Sequence, residues 1–222
     1  AISQWEGAVP VTIRLVQVES EKEARHFYAG FDQKTSVRTT TQILDAVGIA
    51  KAAGLSDAIS KAVFEASTLL ANGLEPLVGC ANARKHKELF LQSTRMDAVA
   101  AWAHEARTYE GLIAGAKAVL RSKLLMPGVT AVALYTLRHQ PVKAVEFWQG
   151  VANNNRLASN DPRAALIADL LTRRLNAGSV RQRVQMPVVA WNAFFKNRTL
   201  QQIKCVPDAP IVVLGTPLKA EK

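Results

Sequence analysis

The chain has 222 residues, 49% hydrophobic and 21% charged, with 12 glycines and 9 prolines; this composition excludes a mainly disordered or low-complexity polymer and supplies enough apolar side chains for a real core. No apolar run approaches the ~18–20 uncharged residues of a membrane span, and Glu6 stands where a secretory leader would be basic and then apolar. Cys80 and Cys205 belong to no Cys-x-x-Cys or Cys/His cluster, so the expectations are a soluble cytoplasmic protein with unpaired thiols, no membrane partner, no disulfide scaffold and no cysteine-built zinc site. The first residue is Ala1, which reads as a processed chain or part of a longer one.

The N-terminal run Val9-Pro10-Val11-Thr12-Ile13-Arg14-Leu15-Val16-Gln17-Val18 is β-branched with partial alternation and predicts a strand. Ser20 followed by Glu23 is a capping-box pattern that opens a helix through Ala24, Phe27, Tyr28 and Phe31. A strand–helix pair this short needs sheet partners from elsewhere. From Arg38 to about Phe195 the spacing is helical. Thr39-Thr40-Thr41 caps a helix ending at Gly54; Ser56-Asp57 opens the next, with Ile59, Val63, Phe64, Ser67, Leu70 and Ala71 on one face and Gly73 as its stop. Further helices are predicted over about Lys85–Ser93, Met96–Glu105, Glu110–Lys123, Gly128–His139, Pro141–Asn153, Asp161–Asn176 and Ser179–Lys196, with Pro127, Pro141 and Pro162 suited to first turns. The tail from Leu200 to Leu214 is β-branched and broken by Pro207 and Pro210. The fold class predicted is mainly α: a helical domain over 38–198, preceded by a small incomplete α/β piece over 1–37 and followed by an extended or short-strand basic tail over 199–222.

The net charge of +10 is concentrated. From Leu170 to Pro207 there are seven cations, Arg173, Arg174, Arg181, Arg183, Lys196, Arg198 and Lys204, and no acid. Arginine pairs two phosphate oxygens at once, and a stretch without acids cannot neutralise itself locally. It reads either as a solvated basic face or as a surface for an anionic partner, nucleic acid first. Arg173 and Arg174 near one helix end and Arg181 and Arg183 at the next helix start would form a helix-turn-helix corner. The second helix is apolar after Val184, so phosphate contact is expected rather than base readout.

Catalytic signatures are sparse. His26, His86, His104 and His139 show no metal spacing, and neither a phosphate-binding glycine loop nor a Gly-x-Ser-x-Gly elbow occurs; no metal and no cofactor is expected. Trp5, Trp102, Trp148 and Trp191 sit in apolar context and read as core, whereas Tyr109, beside Glu110, is the aromatic for which a surface position is open. The polar turn Phe31-Asp32-Gln33-Lys34-Thr35-Ser36-Val37-Arg38-Thr39 is a candidate anion cradle, with Asp32, Lys34 and Arg38 beside a helix start, or an ordinary capped helix.

At this turn the sequence resembles phage- and plasmid-encoded proteins with a ParB/sulfiredoxin-like domain. In that family an Asp-Gly-Gln-His-Arg motif is followed by a strand, a helix, a turn of the form Asp-x-x-x-x-x-Arg-Thr and a helical C-terminal domain. Val9 to Val18, Glu21 to Phe31 and Asp32 to Thr39 would match these in turn. Val145–Ala152, Asp161-Pro162-Arg163, and Val189–Phe194 with Lys196-Asn197-Arg198 are similar to the family's tail. The Asp-Gly-Gln-His-Arg motif is absent and would fall before Ala1. The resemblance implies a DNA-associated mobile-element protein, with residues 1–37 as the remnant of the ParB-like domain and double-stranded DNA as partner. The alternatives are a nuclease or nucleotide hydrolase whose catalytic motif lies upstream, and a helical protein-interaction module. A homo-oligomer is left open.

Overall fold

The computed structural model describes residues 17–20, 23–24, 48, 52–77, 87–172 and 179–217. The chain divides into two units, Ala1–Val37 and Arg38–Lys222. Within the first, Ser20 Oγ accepts the Glu23 N–H at 3.1 Å and Glu23 Oε2 accepts the Glu19 N–H at 2.7 Å, so the capping chemistry legible in the sequence starts a helical turn. The predicted strand and the rest of that helix lie outside the described residues, apart from Gln17 and Val18, which are in no regular element.

The second unit is helical. Its helices are α1 (Asp57–Ala71), α2 (Gln92–Ala101), α3 (Ala103–Ile113), α4 (Ala118–Leu124), α5 (Pro127–His139), α6 (Pro141–Asn153), α7 (Pro162–Thr172) and α8 (Val180–Phe195), with a 3-10 turn at Lys87–Phe90 before α2. Among the described residues there is no strand, and the tail, expected to be extended or a short strand, runs as turns and irregular chain over 199–217.

Local chemistry sets most helix starts. Ser56 Oγ accepts the Ile59 N–H of α1 and Ser179 Oγ accepts the Gln182 N–H of α8, while α5, α6 and α7 each open on a proline, whose missing N–H costs nothing in a first turn. α1 stops as predicted at Gly73 (φ 60°), and the Leu74 N–H closes back on the Leu69 carbonyl at 2.7 Å in a Schellman turn.

α5 is the hub. It packs against α1, α3, α6 and α8, and Gly128–Leu134, Thr136 and Leu137 are all buried, so it is apolar around its whole circumference. No single helix among the described residues is long and apolar enough to cross a membrane. The crossing of α5 with α8 is close: a methyl group added at Gly128 would stand 3.0 Å from the carbonyl carbon and oxygen of Arg183. Pro187, inside α8, has no N–H to return to that same carbonyl, four residues back.

An aromatic cluster joins α3, α6 and α8. Phe147 meets Trp148 and Trp191 edge to face at 5.0 and 5.6 Å between centroids, and Tyr109 meets Trp148 at 5.6 Å. Trp102, Trp148 and Trp191 are buried, as their apolar context implies. Tyr109 corrects the sequence reading: it is fully buried, and its hydroxyl donates to the Leu124 carbonyl at 3.0 Å. Burial pushes its phenol pKa up.

Two predicted helices are cut. The Met96–Glu105 pattern breaks at Trp102 (φ −108°, ψ 12°), which ends α2 and precedes α3. Arg138 on α5 stabilises the break. It donates to the Ala101 carbonyl at 2.6 Å, forks onto Glu105 with two 2.9 Å bonds, and lies 3.3 Å over the Trp102 ring. The Glu110–Lys123 pattern likewise divides, into the end of α3 and α4, with exposed Gly115 between them. α7 is described to Thr172, short of the predicted Asn176.

Candidate nucleic-acid interface

The cations of the basic stretch that are described fall into two settings. Arg173 and Arg174 lie outside the described residues. Arg181, in the first turn of α8, is held internally: its Nη1 donates to Glu75 Oε2 at 2.9 Å and its Nη2 to the Ala209 carbonyl at 2.7 Å. The other Glu75 oxygen accepts the Ile211 N–H at 3.0 Å, so both oxygens of this carboxylate are engaged. Arg183 is half-buried where α5 crosses α8 and lines a cleft of about 290 Å³ with Glu65, Thr68, Leu69, Pro76, Leu77, Pro127, Gly128 and Val180. Arg181 thus serves the inside of the helical unit, while Arg183 lines this cleft.

Lys196 and Arg198 are different. α8 ends in a Schellman turn: Asn197 adopts φ 53°, its N–H donates to the Phe194 carbonyl at 2.9 Å, and the Arg198 N–H donates to the Ala193 carbonyl at 2.9 Å. Asparagine tolerates the left-handed region better than any other residue with a side chain, apart from aspartate and histidine in the same class. Lys143 covers the neighbouring Phe195 carbonyl from α6 at 3.3 Å. With its carbonyls satisfied, the turn leaves the Lys196 and Arg198 side chains exposed, and neither makes an ion pair with a described residue.

α6 also ends on a left-handed asparagine, with a single closing bond in place of the Schellman pair. Asn154 is left-handed (φ 46°) and closes on the Gly150 carbonyl at 3.1 Å, and Arg156 follows at φ 53°, an uncommon conformation for a long side chain. A single backbone bond, from the Leu200 N–H to the Asn160 carbonyl at 2.8 Å, ties the loop after α6 to the loop after α8. Arg156, Lys196 and Arg198 therefore stand on two adjoining loops, among exposed Asn153, Asn155, Asn160, Asn197, Thr199, Gln201 and Gln202, and the exposed Lys204 follows.

Two acids are near: the exposed Asp208 lies four residues beyond Lys204, and Asp161, in the loop after α6, is answered on the spot. Arg163 binds both its oxygens, at 3.0 and 2.7 Å, and those hydrogen bonds outweigh burial to hold the carboxyl below its ordinary range. The outcome is a surface of amides, hydroxyls and cations without ion pairs to described residues, which can hydrogen-bond and neutralise phosphate oxygens at the same time. Cations at helix C-termini also offset the helix dipole, which is the competing use of the same residues.

Sequence reasoning singled out Lys196 and Arg198 but missed Arg156, whose signal is the run Asn153-Asn154-Asn155-Arg156. The phosphate candidates Asp32, Lys34 and Arg38 lie outside the described residues. No group of three or more His, Cys, Asp or Glu able to hold a metal occurs among the described residues. His139 is held below the imidazole range by burial and by neighbouring Arg138. No family model matches the chain, and neither a curated protein nor a solved structure does.

Proposed function

We propose that this protein binds nucleic acid, with duplex DNA as the partner, by contacting the phosphate backbone through the paired loops after α6 and α8. The observation that carries the reading is the convergence of Arg156, Lys196 and Arg198, exposed and without ion pairs to described residues, on loops tied by the Leu200–Asn160 bond. Amide side chains around them give hydrogen-bonding reach without opposing charge, and the net charge of +10 favours encounter with a polyanion. The resemblance to ParB-like mobile-element proteins points the same way and adds direction, not geometry. The nuclease or hydrolase alternative draws on Asp32, Lys34 and Arg38, and no observation on the described residues favours it.

Four contacts, from Arg156, Lys196, Arg198 and Lys204, give a log–log salt slope of roughly −3 to −4. Anisotropy titration of a labelled generic duplex should accordingly show affinity falling on the order of a hundredfold between about 50 and 200 mM salt. Binding that ignores salt, or no binding at about 50 mM, contradicts the proposal.

A further inference from the structure

The tail over residues 203–216 is held in an unusual way: side chains of the helical body grip its backbone. Asn192 does so twice, its Nδ2 donating to the Val212 carbonyl at 2.7 Å and its Oδ1 accepting the Leu214 N–H at 2.9 Å. Trp191 Nε1 donates to the Leu214 carbonyl at 3.0 Å, and Gln185 Nε2 to the Val206 carbonyl at 2.6 Å. Gln140 on the loop between α5 and α6 reaches the Gly215 carbonyl at 2.6 Å. Together with Arg181 and Glu75, described above, these make a row of contacts to main chain.

Few strap side chains are buried in return. Val213 is 6% exposed and Ile203 1%, whereas Val206 is 59% exposed, and Pro207, Asp208 and Pro210 are exposed too. Main-chain hydrogen bonds with an isolated apolar anchor are the physics by which proteins recognise an extended peptide. Gly215 (φ 77°) completes the fit: a methyl group there would stand 2.6 Å from the Phe195 ring. The fit is nonetheless not saturated, because Gln185 Oε1 is buried with no donor.

We propose that this face of α8 is a binding groove for an extended segment, and that the occupant it accepts in place of its own tail is the tail of a second copy of this chain. The groove is seen holding that very sequence, and the loop Lys196–Gln202 that joins groove to tail is exposed apart from half-buried Leu200, is closed through the left-handed Asn197 and is tied to the body by the Leu200–Asn160 bond. Opening this loop lets a tail leave its own groove and enter a neighbour's with all contacts reproduced, the arrangement of a segment-swapped dimer. In the single chain the tail wins by effective concentration alone.

The test uses two full-length variants that are broken in complementary places. Val213→Asp puts a charge where the anchor is buried, giving an open groove and a useless tail. Asn192→Ala removes the double grip, giving a weakened groove and an intact tail. Each alone should sediment as the lighter species, and mixing them should produce a heavier complex of one copy of each, seen by sedimentation velocity and by the mixed mass in native mass spectrometry. If Val213→Asp loses the parent's helical circular dichroism, Val213→Ala, which removes the anchor without burying a charge, replaces it. A mixture that stays unassociated at about millimolar concentration, with both variants retaining the parent's helical signal, overturns the proposal. Association that is undiminished when Asn192→Ala and Val213→Asp are combined in one chain overturns it as well.

Discussion

Arg138 shows how much one side chain can do when its partners come from two helices. It caps the end of α2 through the Ala101 carbonyl, pairs with Glu105 at the start of α3 and stacks on Trp102 between them. Burial would raise the Glu105 pKa, but the Arg138 bonds prevail and the carboxyl is held below its ordinary range. A depressed folded-state pKa means stability that is present above the unfolded value, about 4.3, and is lost as pH falls through the folded value. Glu105→Gln should therefore lower the melting temperature at neutral pH, with a cost of about 1–3 kcal/mol, and the gap between variant and parent should shrink on acidification below about pH 4. Melting curves recorded from pH 3 to 7 check this; a gap independent of pH would show that the charge on Glu105 is not what holds the break. None of this was legible beforehand, because the partner of Trp102 and Glu105 lies more than thirty residues away on another helix. The position of Tyr109 is open in the sequence for a related reason. A residue beside Glu110 looks peripheral until the Leu124 carbonyl supplies its hydroxyl with an acceptor inside the core.

The helices themselves were easier to read, and their chemistry explains which. Starts marked by Ser56, Ser179, Pro127, Pro141 and Pro162 depend only on backbone donors within the next few residues, so sequence suffices. Crossings are another matter, since nothing local shows that Gly128 faces the Arg183 backbone. Gly128→Ala should cost about 1–3 kcal/mol, as overpacking against main chain cannot be relieved by a rotamer change; urea denaturation measures it, and a loss near zero would mean that α5 and α8 can move apart freely. At the end of α8, Asn197→Gly should be tolerated or slightly stabilising, while Asn197→Val should cost about 1–2 kcal/mol because a β-branched residue resists φ 53°. The same pair of variants checks whether the Lys196–Arg198 loop owes its shape to this turn: duplex affinity should survive the glycine and drop with the valine.

For the helical unit as a whole, charge arithmetic singles out a stretch of sequence but does not separate cations that build the fold from cations that face outward. Arg181 looks identical to Arg198 in a count, yet one is bound to Glu75, 106 positions away, and the other is exposed. Arg156 was overlooked because acids elsewhere in residues 38–169 dilute its neighbourhood in sequence, although the nearest of them, Asp161, is neutralised by Arg163 in space. Whether inner and outer arginines differ in function is read from the salt dependence of duplex binding. The parent, the Arg156→Ala/Lys196→Ala/Arg198→Ala variant and the Arg181→Ala variant are compared on one generic duplex, at a temperature where all three keep their helical signal. With about 0.9 of slope lost per contact removed, the triple variant should be shallower than the parent by roughly 2.7 and bind more weakly. Arg181→Ala should keep the parental slope and lose only stability. A triple variant with parental slope and affinity, or a slope lost through Arg181→Ala instead, would contradict the account.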